Sequence, residues 1–266
     1  MINVAVSGAA GRMGRLVVRA VAAAPDALLS GALEAAGNPA LGLDAGELAG
    51  LAPIGVAVVD DPAIAVAGAS VCIDFSSPAG ALAAAGAAAA AGCAVLVATT
   101  GLSPEQKKRI EALSKKVPVL IASNTSLGMN LVFALAERAA AALSSYHAEI
   151  VEAHHARKKD SPSGTALRLA ESVASARGWN LDEVAVYGRH GKTGERGDRE
   201  LGIHAVRGGG IFGDHTLILA GEDEVVSISH RAMSRELFAQ GALSAARYLA
   251  GARPGLYTMA DVLGIS

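Results

Sequence analysis

The chain opens with Ile2-Asn3-Val4-Ala5-Val6-Ser7 and runs directly into Gly8-Ala9-Ala10-Gly11-Arg12-Met13-Gly14 before a helical pattern begins. An apolar run of strand length, a glycine-rich turn and a helix are how a nucleotide-binding βαβ unit starts. The glycines let the backbone turn tightly and approach a pyrophosphate. The helix N-terminus then stabilises that anion through its unpaired N–H groups and the positive end of its dipole. Gly8, Ala9, Ala10, Gly11, Arg12 and Met13 are the residues so placed. The spacing is GxxGxxG, a departure from GxGxxG, so context has to carry the reading. Glu34 supplies it, closing the second strand twenty residues after Gly14. A carboxylate there accepts hydrogen bonds from both ribose hydroxyls of an adenosine. It also repels a 2′-phosphate, and the adjacent Ala35 has no guanidinium to clamp one. NADH is expected to serve at least as well as NADPH, while Arg12 leaves use of both open.

Outward from this turn, short apolar runs alternate with helical ones. Strands are predicted at Ile2–Ser7, Leu28–Leu33, Val71–Phe75, Ala94–Ala98 and Val119–Ala122, and helices at Gly11–Ala23, Gly80–Ala91 and Pro104–Lys116. Continuous apolar strands between helices imply a parallel sheet covered on both faces, a Rossmann-type doubly wound α/β domain. Two later strand ends, Ala98-Thr99-Thr100 and Ala122-Ser123-Asn124-Thr125, should line the same crevice, since ligands bind beyond the carboxyl ends of parallel strands. Their short polar residues suit a nicotinamide amide. Taken singly each is only a turn, and their shared register is what favours function.

From Ser126 the pattern changes. A helix at Leu131–Leu143, a strand at Ala148–Ala153 and a helix at Thr165–Ala176 precede runs at Val184–Tyr187, Ile203–Val206, His215–Ala220 and Val225–His230. The last two flank Gly221-Glu222-Asp223-Glu224 as a hairpin. Gly191–Gly202, polar and glycine-rich, reads as a mobile loop. This half is expected to be a second α+β domain with an open, largely antiparallel sheet. Ser234–Ala250 reads as a final helix and Met259–Gly264 as a return to the first domain. The expected division is residues 1–125 joined by 235–266 for dinucleotide binding, and 126–234 for substrate binding.

Bulk properties narrow the function. Of 266 residues, 52% are hydrophobic and 18% charged, with a net charge of −2, so the chain is globular and has no general attraction for nucleic acid or anionic membrane. Aromatic residues make up 3%, too few for base-stacking platforms. No membrane span or signal peptide is read, and a cytoplasmic protein is expected. Cys72 and Cys93 sit in apolar runs without metal-ligand spacing and read as buried free thiols. No metal site is expected.

Anion binding must therefore be local, and one segment provides for it. Glu152-Ala153-His154-His155-Ala156-Arg157-Lys158-Lys159-Asp160-Ser161-Pro162-Ser163-Gly164-Thr165 sets two imidazoles and three cations ahead of a turn that opens a helix. The cations and the helix N-terminus suit a carboxylate or phosphate. The imidazoles can move a proton near neutral pH. On spacing alone, at least one of the two histidines is a packing residue, because alternate side chains of a strand face opposite ways. Glu149 and Glu152 have no evident role beyond pairing with the basic loop, and His204, His215 and His230 read as structural.

These residues accumulate into a resemblance. Val6–Gly14, Asp74-Phe75-Ser76-Ser77-Pro78, Ala98–Gly101, Ser123-Asn124-Thr125-Ser126 and the basic segment together resemble the 4-hydroxy-tetrahydrodipicolinate (dihydrodipicolinate) reductases of the diaminopimelate route to lysine. The resemblance implies that Gly8 to Met13 hold a pyrophosphate, Glu34 the ribose, and Ala98–Thr100 with Ala122–Thr125 the nicotinamide. It makes His154 the acid/base residue and Lys158 the proton donor, with His155, Gly164 and Thr165 on the carboxylates of a small dicarboxylate substrate. It further implies a homotetramer assembled through the second domain's sheet. Family members often carry Arg where this chain has Ala35, and Gly where it has Ala98. Arg157 and Lys159 should lower the pKa of Lys158, and a bound dicarboxylate should oppose them. The competing readings are another Rossmann-type NAD(P)-dependent dehydrogenase of a small anion, or an NADH-sensing protein without catalysis. A sensor would have no use for Lys158.

Overall fold

The structure, a computed structural model, describes residues 1–265. In chain order the first elements are β1 (Ile2–Ser7), α1 (Arg12–Ala23), β2 (Ala27–Leu33), α2 (Ala45–Leu48), β3 (Val58–Val59), α3 (Pro62–Ala65), β4 (Val71–Asp74) and α4 (Pro78–Ala90). Next come β5 (Ala94–Val97), α5 (Pro104–Glu111), β6 (Pro118–Ile121), α6 (Leu127–Ala142), β7 (His147–His154), α7 (Gly164–Ala176), α8 (Leu181–Val184) and β8 (Ala185–Val186). β9 (Leu201–Arg207), β10 (Asp214–Ala220), β11 (Val225–Arg231), α9 (Glu236–Ala250), β12 (Gly255–Tyr257) and α10 (Met259–Leu263) complete it. The chain divides into two compact units, Met1–Leu127 with the segment from Arg235 onward, and Gly128–Ser234.

The first unit holds a seven-stranded sheet in the order β12-β6-β5-β4-β1-β2-β3, with every pairing parallel. Alternate strand residues feed two cores. Val4, Val6, Ile73, Leu96 and Leu120 meet Val17, Val18 and Val21 of α1 and Ala242, Leu243 and Ala246 of α9. Ala5, Cys72, Val95, Val97 and Val119 face the other way, onto Ala81, Ala84, Ala85 and Ala88 of α4 and Ile110 of α5. The alanine-rich helix therefore serves close packing. Cys72 and Cys93 are buried free thiols, and burial pushes the Cys93 thiol up to about 12. Met259 of α10 returns to the first core.

The sequence reading places the long elements and misses the short ones. β3, α2, α3, α8 and β12 are too brief to show a period. The helix expected over Pro104–Lys116 ends at Glu111 and tightens into a 3₁₀ turn, Ala112–Lys115. α6 starts at Leu127 rather than Leu131. Val184 belongs to α8 and only Ala185–Val186 is strand, where Val184–Tyr187 was expected.

The second unit is built on a five-stranded sheet, β11-β10-β7-β9-β8. β10 runs antiparallel to β7 and to β11, while β9 runs parallel to β7 and β8. The β10–β11 hairpin closes through Gly221 N–H to Glu224 carbonyl, 2.9 Å. One face is covered: Ala148, Ile150, Leu201, Ile203, Leu217 and Leu219 pack with Met129, Phe133 and Ala136 of α6 and Leu169 and Val173 of α7.

At the start of β7 the carboxylate of Glu149 gathers a charged cluster. Arg189 donates to both its oxygens at 2.9 and 3.0 Å, Arg196 Nε at 2.8 Å, and His204 Nε2 lies 2.7 Å away. Gly202 makes room, because a Cβ there would sit 1.7 Å from Glu149 Oε2. The cluster anchors the expected loop from within, and Leu201 and Gly202 at its end are strand rather than loop. Burial alone would raise the Glu149 carboxyl, but Arg189, Arg196 and His204 outweigh it and bring it from 4.5 to about 2. Because the folded value is depressed, this stabilisation is complete above the ordinary carboxylate range and is lost as pH falls toward 2. Urea unfolding followed between those limits should show stability dropping with acid in the wild type and a shallower slope in Glu149→Gln. Equal slopes would contradict the assignment.

Candidate active site

The first unit places the glycine turn at its topological switch point, where β1 is flanked by β2 on one side and β4 on the other. Gly8 has φ of 77°, and a Cβ there would lie 2.7 Å from the carbonyl oxygen of Phe75. At Gly14 a Cβ would come within 2.0 Å of the Gly8 carbonyl oxygen. Both positions therefore admit only glycine if α1 is to start where it does. α1 begins at Arg12 with no side-chain cap on Gly11, so its first amides are left for a ligand. Gly8 and Ala9 instead donate to the Leu33 carbonyl at 2.9 and 3.1 Å, and Gly11 to the Gly8 carbonyl at 3.0 Å. Of the turn's amides, those of Arg12 and Met13 are the ones that fit a pyrophosphate.

Glu34 stands at the end of β2. It accepts from Ala10 N–H at 2.8 Å, Ala35 N–H at 3.3 Å and Asn38 Nδ2 at 3.0 Å. Its carboxylate is thereby fixed at the rim of the turn, and Ala35 beside it is exposed. A cleft of about 390 Å³ runs from Glu34 and Ala35 past Gly8 and Gly11 to Phe75 and Ser76. A second, of about 340 Å³, starts from Phe75 and Ser76 and reaches Ala98, Thr99, Thr100, Ser123, Asn124 and Thr125. The two clefts share Phe75 and Ser76, so the residues around Glu34 and those around Thr99 and Asn124 flank one ridge. Ala122, at the end of β6, packs on the core beside α1 and does not line the second cleft.

Sequence reasoning missed several residues of this unit. Asp74 is 1% exposed and accepts hydroxyl hydrogen bonds from Ser76 and Thr99, each 2.5 Å. Burial raises its carboxyl against the pull of those hydroxyls and that of Ser7. Asp74 thus fixes two side chains that line the second cleft. Phe238 lines that cleft too, together with Arg235 and with Arg12 and Met13 of the glycine turn, the last two already singled out in the sequence. The motif Asp74–Pro78 was visible, but nothing in it indicated which hydroxyls the carboxylate would hold.

In the second unit the covered face of the sheet is apolar along most of β7 and becomes charged at its end. Ala148 and Ile150 are followed on that face by Glu152 and His154. Register places Arg207 of β9 beside His154 and His215 of β10 beside Glu152. Glu152 is fully buried. Arg207 grips it with both guanidinium nitrogens at 2.8 and 2.7 Å, Ser163 N–H donates at 3.0 Å, and His154 Nδ1 lies at 2.6 Å. Burial works against this carboxylate, yet Arg207, His154 and the Ser163 amide together hold it below its ordinary value. Glu149 and Glu152 were expected to pair with the cations of the basic loop. They pair instead with Arg189, Arg196 and Arg207, which strand register and the 188–200 segment supply.

His154 is 9% exposed and packs edge-on against His215, with centroids 5.2 Å apart. Burial and the neighbouring His154 push His215 down to about 4, so it is neutral near pH 7. His215 Nε2 lies 3.0 Å from Ser163 Oγ, which also caps α7 by accepting from Ala166 N–H at 3.1 Å. Gly164 and Thr165 are the first residues of α7, and Gly164 is exposed. His155 follows on the opposite alternation and is half-buried. Lys158 lies 2.9 Å from Asp160, whose backbone carbonyl accepts from Arg207 at 2.9 Å. The neighbour that meets the lysine is thus a carboxylate, whereas the reading of the loop weighed only Arg157 and Lys159, both exposed. His154, Lys158 and the start of α7 are linked through Glu152: it faces His154, accepts from Ser163 N–H beside Gly164, and shares Arg207 with the carbonyl of Asp160, the partner of Lys158.

A doubly wound sheet with a phosphate-binding turn, and a second unit carrying an imidazole, a lysine and a helix N-terminus, define an NAD(P)H-dependent oxidoreductase. Residues 2–125 match the family model described as dihydrodipicolinate reductase, N-terminus, and residues 128–263 the one described as dihydrodipicolinate reductase, C-terminus. The 4-hydroxy-tetrahydrodipicolinate reductase of Anaeromyxobacter dehalogenans is 51% identical over all of this chain and 98% of its own length. That of Nitrosospira multiformis is 48% identical over 99% and 98%. A dipicolinate-bound dihydrodipicolinate reductase from Paenisporosarcina has the same fold, with a TM-score of 0.78 at 23% identity over 98% of each chain. An amine dehydrogenase from Mycobacterium smegmatis aligns at 0.57 and 14% identity, over 97% of this chain and 95% of its own. The chain belongs to the 4-hydroxy-tetrahydrodipicolinate reductase family.

Proposed function

We propose that the chain reduces dihydrodipicolinate, taken up as such or formed from 4-hydroxy-tetrahydrodipicolinate by loss of its 4-hydroxyl as water, to tetrahydrodipicolinate, using His154 and Lys158 for the proton. The observation that carries this is the end of β7. A histidine held by a buried carboxylate stands there with a lysine and a helix N-terminus. Dinucleotide binding falls to the first unit: the amides of Arg12 and Met13 take the pyrophosphate, Glu34 the ribose, and the residues from Ala98 to Thr100 and Ser123 to Thr125 bound the nicotinamide. When bound, that ring supplies a hydride to the conjugated system of the substrate. The second unit holds the dicarboxylate: the N-terminal amides at Gly164 and Thr165 face one carboxylate, and His155 and the loop cations neutralise the charge. Hydride addition leaves an enamine, and its carbon takes a proton from Lys158 or from the His154 imidazolium. With Lys158 paired to Asp160, substrate has to draw the ammonium away before it can donate. No helix of the described residues is long and apolar enough to cross a membrane. The reading completes itself with a cytoplasmic homotetramer assembled through the open face of the second sheet.

A coupled assay with freshly made substrate, following NADH absorbance, tests the assignment. Lys158→Ala and His154→Ala should each lower kcat by about 10²–10⁴-fold. NADH affinity should hardly change, because the residues assigned to the dinucleotide lie in the first unit. A Lys158→Ala protein with wild-type kcat would overturn the role given to Lys158, and a wild type that binds NADH but shows no turnover would favour the NADH-sensing alternative.

Cofactor choice rests on Glu34 and Ala35. The carboxylate is pinned to the glycine turn by Ala10 N–H and Asn38, a 2′-phosphate on a ribose bound to it would be repelled, and Ala35 offers no cation. NADH is therefore the better or equal cofactor. Ala35→Arg should improve NADPH binding by about tenfold, the effect of one charge-assisted contact of roughly 1.4 kcal/mol. Unchanged Michaelis constants for both cofactors would show that this position does not set the preference.

A further inference from the structure

We propose that Glu152 is a positioning residue for the reaction: with Arg207 it fixes the tautomer and aim of His154 and at the same time anchors the anion-binding start of α7. The inference rests on the reading of His154 as the acid/base residue and adds how that residue is made competent.

The two carboxylate oxygens are divided between different donors. Oε1 accepts Ser163 N–H at 3.0 Å and Arg207 at 2.7 Å. Oε2 accepts Arg207 at 2.8 Å and faces His154 Nδ1 at 2.6 Å. An ionised carboxylate has no proton to give, so Nδ1 must be the donor. The exchangeable position of the ring is then Nε2, whose lone pair takes up a proton and later gives it away. This resembles the way a buried carboxylate holds a catalytic imidazole in one tautomer elsewhere.

Other groups around the ring match this role. The charged and titratable neighbours are Glu152 on its own strand, Arg207 on β9 and His215 on β10. Asp160 acts on the group through Arg207, whose guanidinium donates to its carbonyl and feels its carboxylate. Arg207 neutralises Glu152, so the ring is oriented without a net negative charge locking its proton in place. His215 contributes no cation near pH 7. Backbone closes in on Nε2, since a Cβ at Gly213 would lie 2.9 Å from it. A side chain at residue 213 would therefore cover the atom that exchanges the proton.

Glu152→Gln supplies the test, because an amide is isosteric and has one oxygen. Placing its NH₂ at Oε1 would oppose two donors, Ser163 and Arg207. Placing it at Oε2 opposes one and turns the NH₂ toward His154 Nδ1. The second arrangement is the less conflicted, and it makes Nδ1 an acceptor and moves the ring proton to Nε2. The ¹⁵N spectrum of histidine-labelled protein should show His154 as the Nδ1–H tautomer in wild type and as Nε2–H in Glu152→Gln. At the same time kcat should fall by about 10²-fold or more with the NADH dissociation constant unchanged. Glu152→Asp, which restores both oxygens, should return the Nδ1–H tautomer and part of the rate. Should Glu152→Gln fail to fold around an unpaired guanidinium, Glu152→Gln with Arg207→Met removes that cation and the same spectrum is read.

A His154 tautomer that stays Nδ1–H in the Gln variant, with kcat near wild type, overturns the positioning role. A tautomer that flips while kcat stays unchanged overturns the acid/base reading of His154 instead. The two failures are thus separable.

Discussion

Four donor groups converge on one buried carboxylate: both arms of Arg207, the Ser163 amide and the His154 ring. A lone ionised group of this kind would be too costly to bury, and removing a single partner from such a set destabilises by about 3–5 kcal/mol. The second unit's chemistry hangs on this arrangement. Through Ser163 it fixes where α7 begins, through Arg207 and the Asp160 carbonyl it fixes the basic loop, and through Nδ1 it fixes the imidazole. A change at Glu152 reaches all three.

The first unit solves a different problem with different means. It has to bring backbone close to a polyanion, and it does so by omission. There is no Cβ at Gly8 or Gly14, no side-chain cap on α1, and a carboxylate at Glu34 tied to the turn it faces. Asp74 adds a second buried carboxylate, but its partners are hydroxyls and no cation is among them. That is why burial leaves Asp74 raised while Glu152 is lowered. One carboxylate organises hydroxyls that line a cleft, and the other organises charge.

How much of this was legible in the sequence follows from how local each feature is. β1, the glycine turn, α1 and the Ser163–Gly164–Thr165 helix start lie within short stretches, and hydrophobic period and turn chemistry exposed them. His154 and Lys158 were legible through their spacing and their resemblance to a known family. Arg207 and His215 were not, because they reach Glu152 only through strand register, with Arg207 55 residues away along the chain. A periodic strand reveals which face a residue takes but not which residue of a neighbouring strand stands opposite it. For the same reason Glu149 was paired with the nearby basic loop, when Arg189, Arg196 and His204 surround it in space.

A crystal structure of the chain with NADH and the planar dicarboxylate pyridine-2,6-dicarboxylate should show a ligand carboxylate on the amides of Gly164 and Thr165. Lys158 should have turned from Asp160 toward the ligand, and Glu152 should still be bonded to His154 Nδ1. A dicarboxylate bound without contact to residues 154–165, with Lys158 still on Asp160, would contradict it.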